Sequence, residues 1–215
     1  MSEPCLVTTG PEHGAAAVVV LLPGGRARSL ARSPRGLAYL RMVPFGWSVR
    51  RRFPDVAVWR LRYRYRGWNE PHRHPVADAG WALREAARRQ PGSPVVLVGH
   101  SMGGRTALRL ASRVSGVCAL APWIEPNEPI EPGDPFGAPD VPGSVVLAHG
   151  AEDRITDPAM SARYAASTGA EFTLVAGDGH AMLRRPGVWD RIVADLVAGA
   201  RRSRPGGYGE KHDVL

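Results

Sequence analysis

Residues 96–104 read Val-Leu-Val-Gly-His-Ser-Met-Gly-Gly, and Pro94 and Val95 extend the apolar run backwards. A short, continuously apolar run is the pattern of a strand covered on both faces. It ends on a serine held between small residues, and an amphipathic pattern follows over 104–115. A strand, a sharp turn and a helix must therefore succeed one another within about three residues. Gly99 and Gly103 give that turn small neighbours. Ser101 is then held in a strained conformation, with its hydroxyl projecting past the strand. The helix starting near Met102 and Gly103 turns its first N–H groups toward the same point. Gly-x-Ser-x-Gly alone is a weak signal in a chain with 25 glycines. Between an apolar strand and a helix it is a specific one.

Outward from this turn, further apolar runs read as strands at 16–22, 55–61, 116–120, 144–150 and 171–177. Helical patterns lie at 35–51, 76–90, 158–168 and 187–201. Strands alternating with helices imply an α/β fold, an open and mostly parallel sheet of about six strands between helical layers. In such sheets ligands collect beyond the carboxyl ends of the strands, where Ser101 stands. The run Cys5–Thr9 reads as a remnant strand, and 55–61 as an edge. Arg60, Arg62, Arg64 and Arg66 alternate there, as suits an exposed face that resists edge pairing. Residues 1–202 read as one domain and 203–215 as a flexible tail.

Composition bounds the function. The 215 residues are 44% hydrophobic and 22% charged, the balance of an ordinary globular domain. The net charge is +8, with Lys211 the only lysine. The arginines are spread along the chain and form no nucleic-acid-binding motif, so no nucleic-acid partner is expected. Cys5 and Cys118 make no disulfide framework. The run 15–22 is too short to span a membrane. A cytoplasmic protein with no membrane association is the expectation.

A serine needs a base to act as a nucleophile at neutral pH, and the base needs an acid to orient it. His180 follows the last strand in a Gly-rich loop at the same sheet edge. His149 ends a strand and reads as a packing or locally bonded residue. His72 and His74 form a lone His-x-His pair, weak as a metal site. Glu152, Asp153 and Asp157 follow the strand ending at His149. Asp153 stands where that loop turns back toward the sheet edge. Asp157 precedes Pro158 and reads as a helix N-cap, and Glu125 is the competing acid. An oxyanion would take N–H groups from Met102 and from Gly25 or Arg26 in the Pro-Gly-Gly turn after the first long strand.

The set Pro23-Gly24-Gly25, "GHSMGG", "HGAEDRITDP" and "DGH" resembles the motifs of the α/β-hydrolases in order and spacing over about residues 15–200. Pro23 departs from the family's common His-Gly form. The resemblance implies the α/β-hydrolase fold in three layers; the chain departs from it in reduced N-terminal strands and no helical cap. It makes Ser101 the nucleophile, His180 the base and Asp153 the orienting acid, with no metal or cofactor. The expected reaction is cleavage of a small-molecule ester or thioester through an acyl-enzyme. Perhydrolysis or haloperoxidase chemistry, acyl transfer and silent ligand binding use the same fold. Trp123, Met182, Leu183 and Arg26 flank the site in sequence as candidate substrate contacts.

Between Ala121 and Ser144 the chain carries no helical pattern. Pro126, Pro129, Pro132 and Pro135 recur every third residue, each after an acid, the period of polyproline II. This acidic loop occupies the slot in which related proteins insert a cap.

Overall fold

The computed structural model describes residues 3–33, 35–126 and 144–203. Seven strands form one sheet: β1 (Cys5–Thr9), β2 (Ala17–Leu22), β3 (Val56–Arg62), β4 (Val95–His100), β5 (Gly116–Leu120), β6 (Ser144–Gly150) and β7 (Glu171–Val175). Their order is β1-β3-β2-β4-β5-β6-β7. All neighbours are parallel except β1, which runs antiparallel to β3. The helices are α1 (Leu37–Leu40), α2 (Val43–Arg52), α3 (His74–Arg89), α4 (Met102–Leu108), α5 (Pro158–Thr168) and α6 (Pro186–Arg202).

The three layers follow from the period-2 alternation of the strands. All six residues of β2 are buried. Val18, Val20 and Leu22 face one core, shared with Ala82 of α3, Ala107 of α4 and Ala165 of α5. Ala17, Val19 and Leu21 face the other, shared with Val49 of α2 and Trp189 and Val193 of α6. The sheet is thus sandwiched between α3–α5 and α2 with α6, the three-layer arrangement expected from the alternating pattern.

The expectation that 55–61 is an edge is corrected. Cys5–Thr9 pairs along the outer side of β3 over Val58–Arg62, from Cys5 with Arg62 to Thr9 with Val58. The antiparallel strand takes up the row of backbone groups that an edge would leave open. The alternating arginines therefore do not guard an edge. Arg60 lies over the Tyr39 ring and Arg64 bonds the buried Asp78 at 2.5 Å.

Among the described residues there is no helical cap. The greater part of the acidic Pro-rich segment, residues 127–143, lies outside them, as does the proposed tail from 204. No helix of the described residues is long and apolar enough to cross a membrane.

Candidate active site

The turn after β4 has the strained geometry that its sequence demands. Ser101 takes φ 57° and ψ −118° and is the residue before the first turn of α4. A positive φ in a non-glycine residue costs free energy and persists only where the surroundings impose it. Here they do. The Ser101 N–H donates to Leu120 O at 3.0 Å, and its carbonyl accepts from Arg105 and Trp123 N–H, each at 3.1 Å. The flanking glycines are required by close approach. A Cβ at Gly99 would collide with the Gly103 carbonyl, and one at Gly103 with the Leu22 carbonyl. The same contact presses the start of α4 against the end of β2, so the Pro-Gly-Gly turn lies beside the elbow.

In that turn, a Cβ on Gly24 would stand 3.3 Å from the Ser101 Cβ. A side chain on Gly25 would collide with that of Met102. The Arg26 N–H is already committed, donating to Arg66 O at 3.0 Å. Of the two candidates for a second oxyanion donor, this leaves Gly25.

His180 lies in the loop after β7. Its Nδ1 is 2.8 Å from Asp153 Oδ2. The loop is held further by His100 and Asp178. His100 Nε2 lies 2.9 Å from the His180 carbonyl, and the two rings have centroids 4.7 Å apart. Because a carbonyl only accepts, His100 carries its proton on Nε2. Full burial and the neighbouring His180 push the His100 imidazole down to about 3, so it is neutral. Asp178, also buried, accepts from Gly179 N–H, Arg185 N–H and Trp189 Nε1–H, which ties the loop to α6.

Asp153 is enclosed by donors. Its Oδ1 accepts from the N–H groups of Ile155 and Thr156 at 2.8 and 3.0 Å. Its Oδ2 meets the Thr156 hydroxyl at 2.9 Å and His149 Nε2 at 3.1 Å, besides His180. Burial alone would raise its pKa. The hydrogen bonds from Thr156, Ile155 and His180 outweigh burial and hold it below the ordinary aspartate value. Asp153 is therefore an anion at neutral pH beside an imidazole. Asp157 instead accepts from Ala159 N–H at 2.9 Å and caps α5, with Pro158 in its first turn. Glu152 pairs with Arg184 on the surface.

The structure also places residues that the sequence pattern leaves unassigned. His149 is bonded locally, as its strand-end position suggests, but its partners are Asp153, Thr156 and Ser161. Thr156 Oγ1 is 3.1 Å from His180 Nδ1 as well as bonding Asp153. Spacing carries no sign of these contacts, except that Thr156 stands three residues past Asp153, the reach of a side-chain cap on the loop.

The candidate substrate contacts are dispersed. Trp123 packs on the Arg105 guanidinium, 4.5 Å from ring centroid to Cζ, as does Trp68 at 4.2 Å, the two rings meeting edge to face. Met182 is buried in the core with Trp189. Leu183 and Arg26 are exposed. A cleft of about 190 Å³ lies against the Pro-Gly-Gly turn, walled by Gly24, Gly25, Ser33, Leu37, Tyr39 and Arg66.

Solved structures share this architecture. An alpha-beta serine hydrolase homologue from Coxiella burnetii superposes with TM-score 0.68 at 12% identity, over 89% of this chain and 90% of that one. An esterase, PE8, gives 0.66 at 18% identity, over 91% and 99%. A serine hydrolase without lid from Xanthomonas campestris gives 0.62 at 16% identity, over 95% and 90%. At these identities the likeness is one of fold. No curated protein sequence matches the chain. The model of the alpha/beta hydrolase family matches residues 19–141, from β2 through the elbow and beyond β5. With more than half of the sequence matched and its strand order that of the fold, the chain belongs to the alpha/beta hydrolase family.

Proposed function

We propose that the protein is a serine hydrolase that cleaves a carboxylic ester or thioester, with Ser101, His180 and Asp153 as its triad. One observation carries the reading: His180 Nδ1 is hydrogen-bonded to a buried, ionised Asp153, in a loop braced against the nucleophile elbow. The carboxylate accepts, so Nδ1 carries the proton and Nε2 is left as the base.

Nε2 takes the Ser101 proton as Oγ attacks the carbonyl carbon. The oxyanion forms between the N–H groups of Met102, the first residue of α4, and Gly25. Imidazolium then protonates the leaving alcohol or thiol, and the acyl group stays on Ser101. Water, deprotonated by the same nitrogen, releases the acid and restores the serine. Asp153 stabilises the imidazolium in both halves. The esterase and the lidless serine hydrolase among the structural neighbours agree with this chemistry. A cytoplasmic setting and a small-molecule substrate complete the proposal.

The test is turnover of aryl esters and acyl thioesters of graded chain length by the wild type against Ser101→Ala. Turnover lost in the variant supports the reading. Equal turnover by both, or none by a folded wild type across the panel, contradicts it.

A further inference from the structure

The charge around the Pro-Gly-Gly turn is one-sided. From His13 to Pro54 the sequence contains no aspartate or glutamate, while arginines stand at 26, 28, 32, 35 and 41 on the stretch bordering the site. Residues 56–69 are also free of acids and include Arg60, Arg62, Arg64 and Arg66. The structure lays these two acid-free segments side by side. Trp68 N–H donates to Arg26 O at 2.8 Å, Gly67 N–H to Ser29 O at 3.0 Å, and Arg66 N–H to Ala31 O at 2.9 Å.

The 190 Å³ cleft opens between these segments and α1. Its Gly24 wall is within van der Waals reach of Ser101, as the 3.3 Å approach of a Cβ there shows. Leu37, 80% exposed, and Tyr39 add apolar surface. Arg66 is the one charged side chain in the lining; it is exposed and has no acidic partner among the described residues. The acids nearest it in sequence are already engaged: Glu70 with Arg73 at 3.2 Å, Asp55 with Arg201 at 2.7 Å and Asp78 with Arg64 at 2.5 Å. Positive charge from this stretch is also felt beside Ser101, where Arg41 adds to the burial that keeps His100 from taking a proton.

An exposed guanidinium without an acidic partner among the described residues, lining a small cleft that Gly24 also lines, suits a ligand arm with a few carbons and an anionic end. A guanidinium presents a planar fork that matches carboxylate or phosphate oxygens in pairs. We infer that the cleft takes the acyl or alcohol arm of an ester or thioester bearing a carboxylate or phosphate, held by Arg66. This rests on the ester-cleaving reading and narrows it to anionic substrates.

The experiment has a kinetic arm and a binding arm. The kinetic arm compares the 4-nitrophenyl monoester of glutaric acid with 4-nitrophenyl valerate, matched in chain length but differing in charge. It also compares butyryl-coenzyme A with the uncharged N-acetylcysteamine thioester of the same acid. The first pair places the anion on the acyl arm as carboxylate, the second on the leaving group as phosphate. One pair or the other should show a preference for the anionic member of roughly 10-fold or more in kcat/KM, the size of one charge-assisted hydrogen bond. Arg66→Gln should bring the ratio toward one, mainly through KM, and 0.5 M salt should narrow it, because exposed charges are screened. Arg88→Gln, on the far surface of α3 in an ion pair with Glu85, removes the same net charge and should leave the ratio in place.

The binding arm titrates glutarate and coenzyme A into Ser101→Ala and into Ser101→Ala with Arg66→Gln by calorimetry. Binding that needs Arg66 upholds the cleft even if no ester is turned over, in which case only the reaction assignment falls. Equal kcat/KM for both members of both pairs overturns the inference and leaves hydrolysis standing. A ratio that falls equally in Arg66→Gln and Arg88→Gln traces the preference to net charge, and this too overturns it.

Discussion

His149 and His180 meet on a single oxygen atom: Asp153 Oδ2 lies 3.1 Å from His149 Nε2 and 2.8 Å from His180 Nδ1. Because the carboxylate only accepts, His149 also carries its proton on Nε2, and its Nδ1 accepts from the buried Ser161 hydroxyl at 2.8 Å. Burial keeps His149 neutral by lowering its pKa, against the pull of Asp153. His149 is thus a neutral donor that draws charge from the oxygen that supports His180.

Removing that donor should make Asp153 a stronger partner for the imidazolium. His149→Leu is expected to move the acid limb of the kcat/KM profile upward, on the order of half a pH unit. His149→Gln, which restores an N–H, should return it part of the way. The other groups facing His180 are the Thr156 hydroxyl and the neutral His100, and neither substitution changes them. A limb that stays in place while stability falls would reduce His149 to packing.

The two aspartates after β6 should separate cleanly. Asp153→Asn is expected to lower kcat by roughly 10²–10⁴-fold, because an amide cannot hold Nδ1 as the donor. Asp157→Ala removes the cap on α5 and should cost about 1 kcal/mol of stability, with kcat retained. Urea unfolding and steady-state kinetics on both variants check this. Loss of activity in Asp157→Ala with activity kept in Asp153→Asn would move the acid to the helix cap.

Acid should destabilise the fold well above the range in which carboxylates titrate. His100 and His149 are buried neutral, with folded pKa values below the ordinary imidazole value, about 3 for His100. Below about pH 6.5 the unfolded chain binds protons that the folded chain refuses, so stability falls as pH falls. Each such group contributes a slope of up to about 1.4 kcal/mol per pH unit. For His100 the window runs from about 6.5 down to about 3. Asp153 and Asp178, with lowered pKa values, add to the loss only below the usual aspartate range. Urea midpoints at pH 7, 6 and 5 should decline progressively. A flat response over that range would mean that these imidazoles accept protons in the folded state.

The sheet and the elbow were legible in the sequence because each rests on local chemistry. β4 is an apolar run, and Gly99, Ser101 and Gly103 sit at a spacing that only a tight turn uses. The pairing of Cys5–Thr9 with β3 was not legible, since register between distant segments leaves no local mark. The proposed His180–Asp153 pair was readable from loop positions after β6 and β7. His149, Thr156 and Asp178 were not, because their roles depend on which atoms converge in space. The acid-free runs 13–54 and 56–69 stand in the sequence, but that residues 26–31 and 66–69 of them border one cleft is visible only when the segments are seen side by side.

The central claim, that Ser101 is a nucleophile activated by His180, is tested most directly by a fluorophosphonate probe and mass spectrometry of the labelled peptide. The account predicts one adduct, on Ser101, absent in Ser101→Ala and formed far more slowly in His180→Ala. An adduct on another serine, or no adduct on the folded wild-type protein, would contradict it.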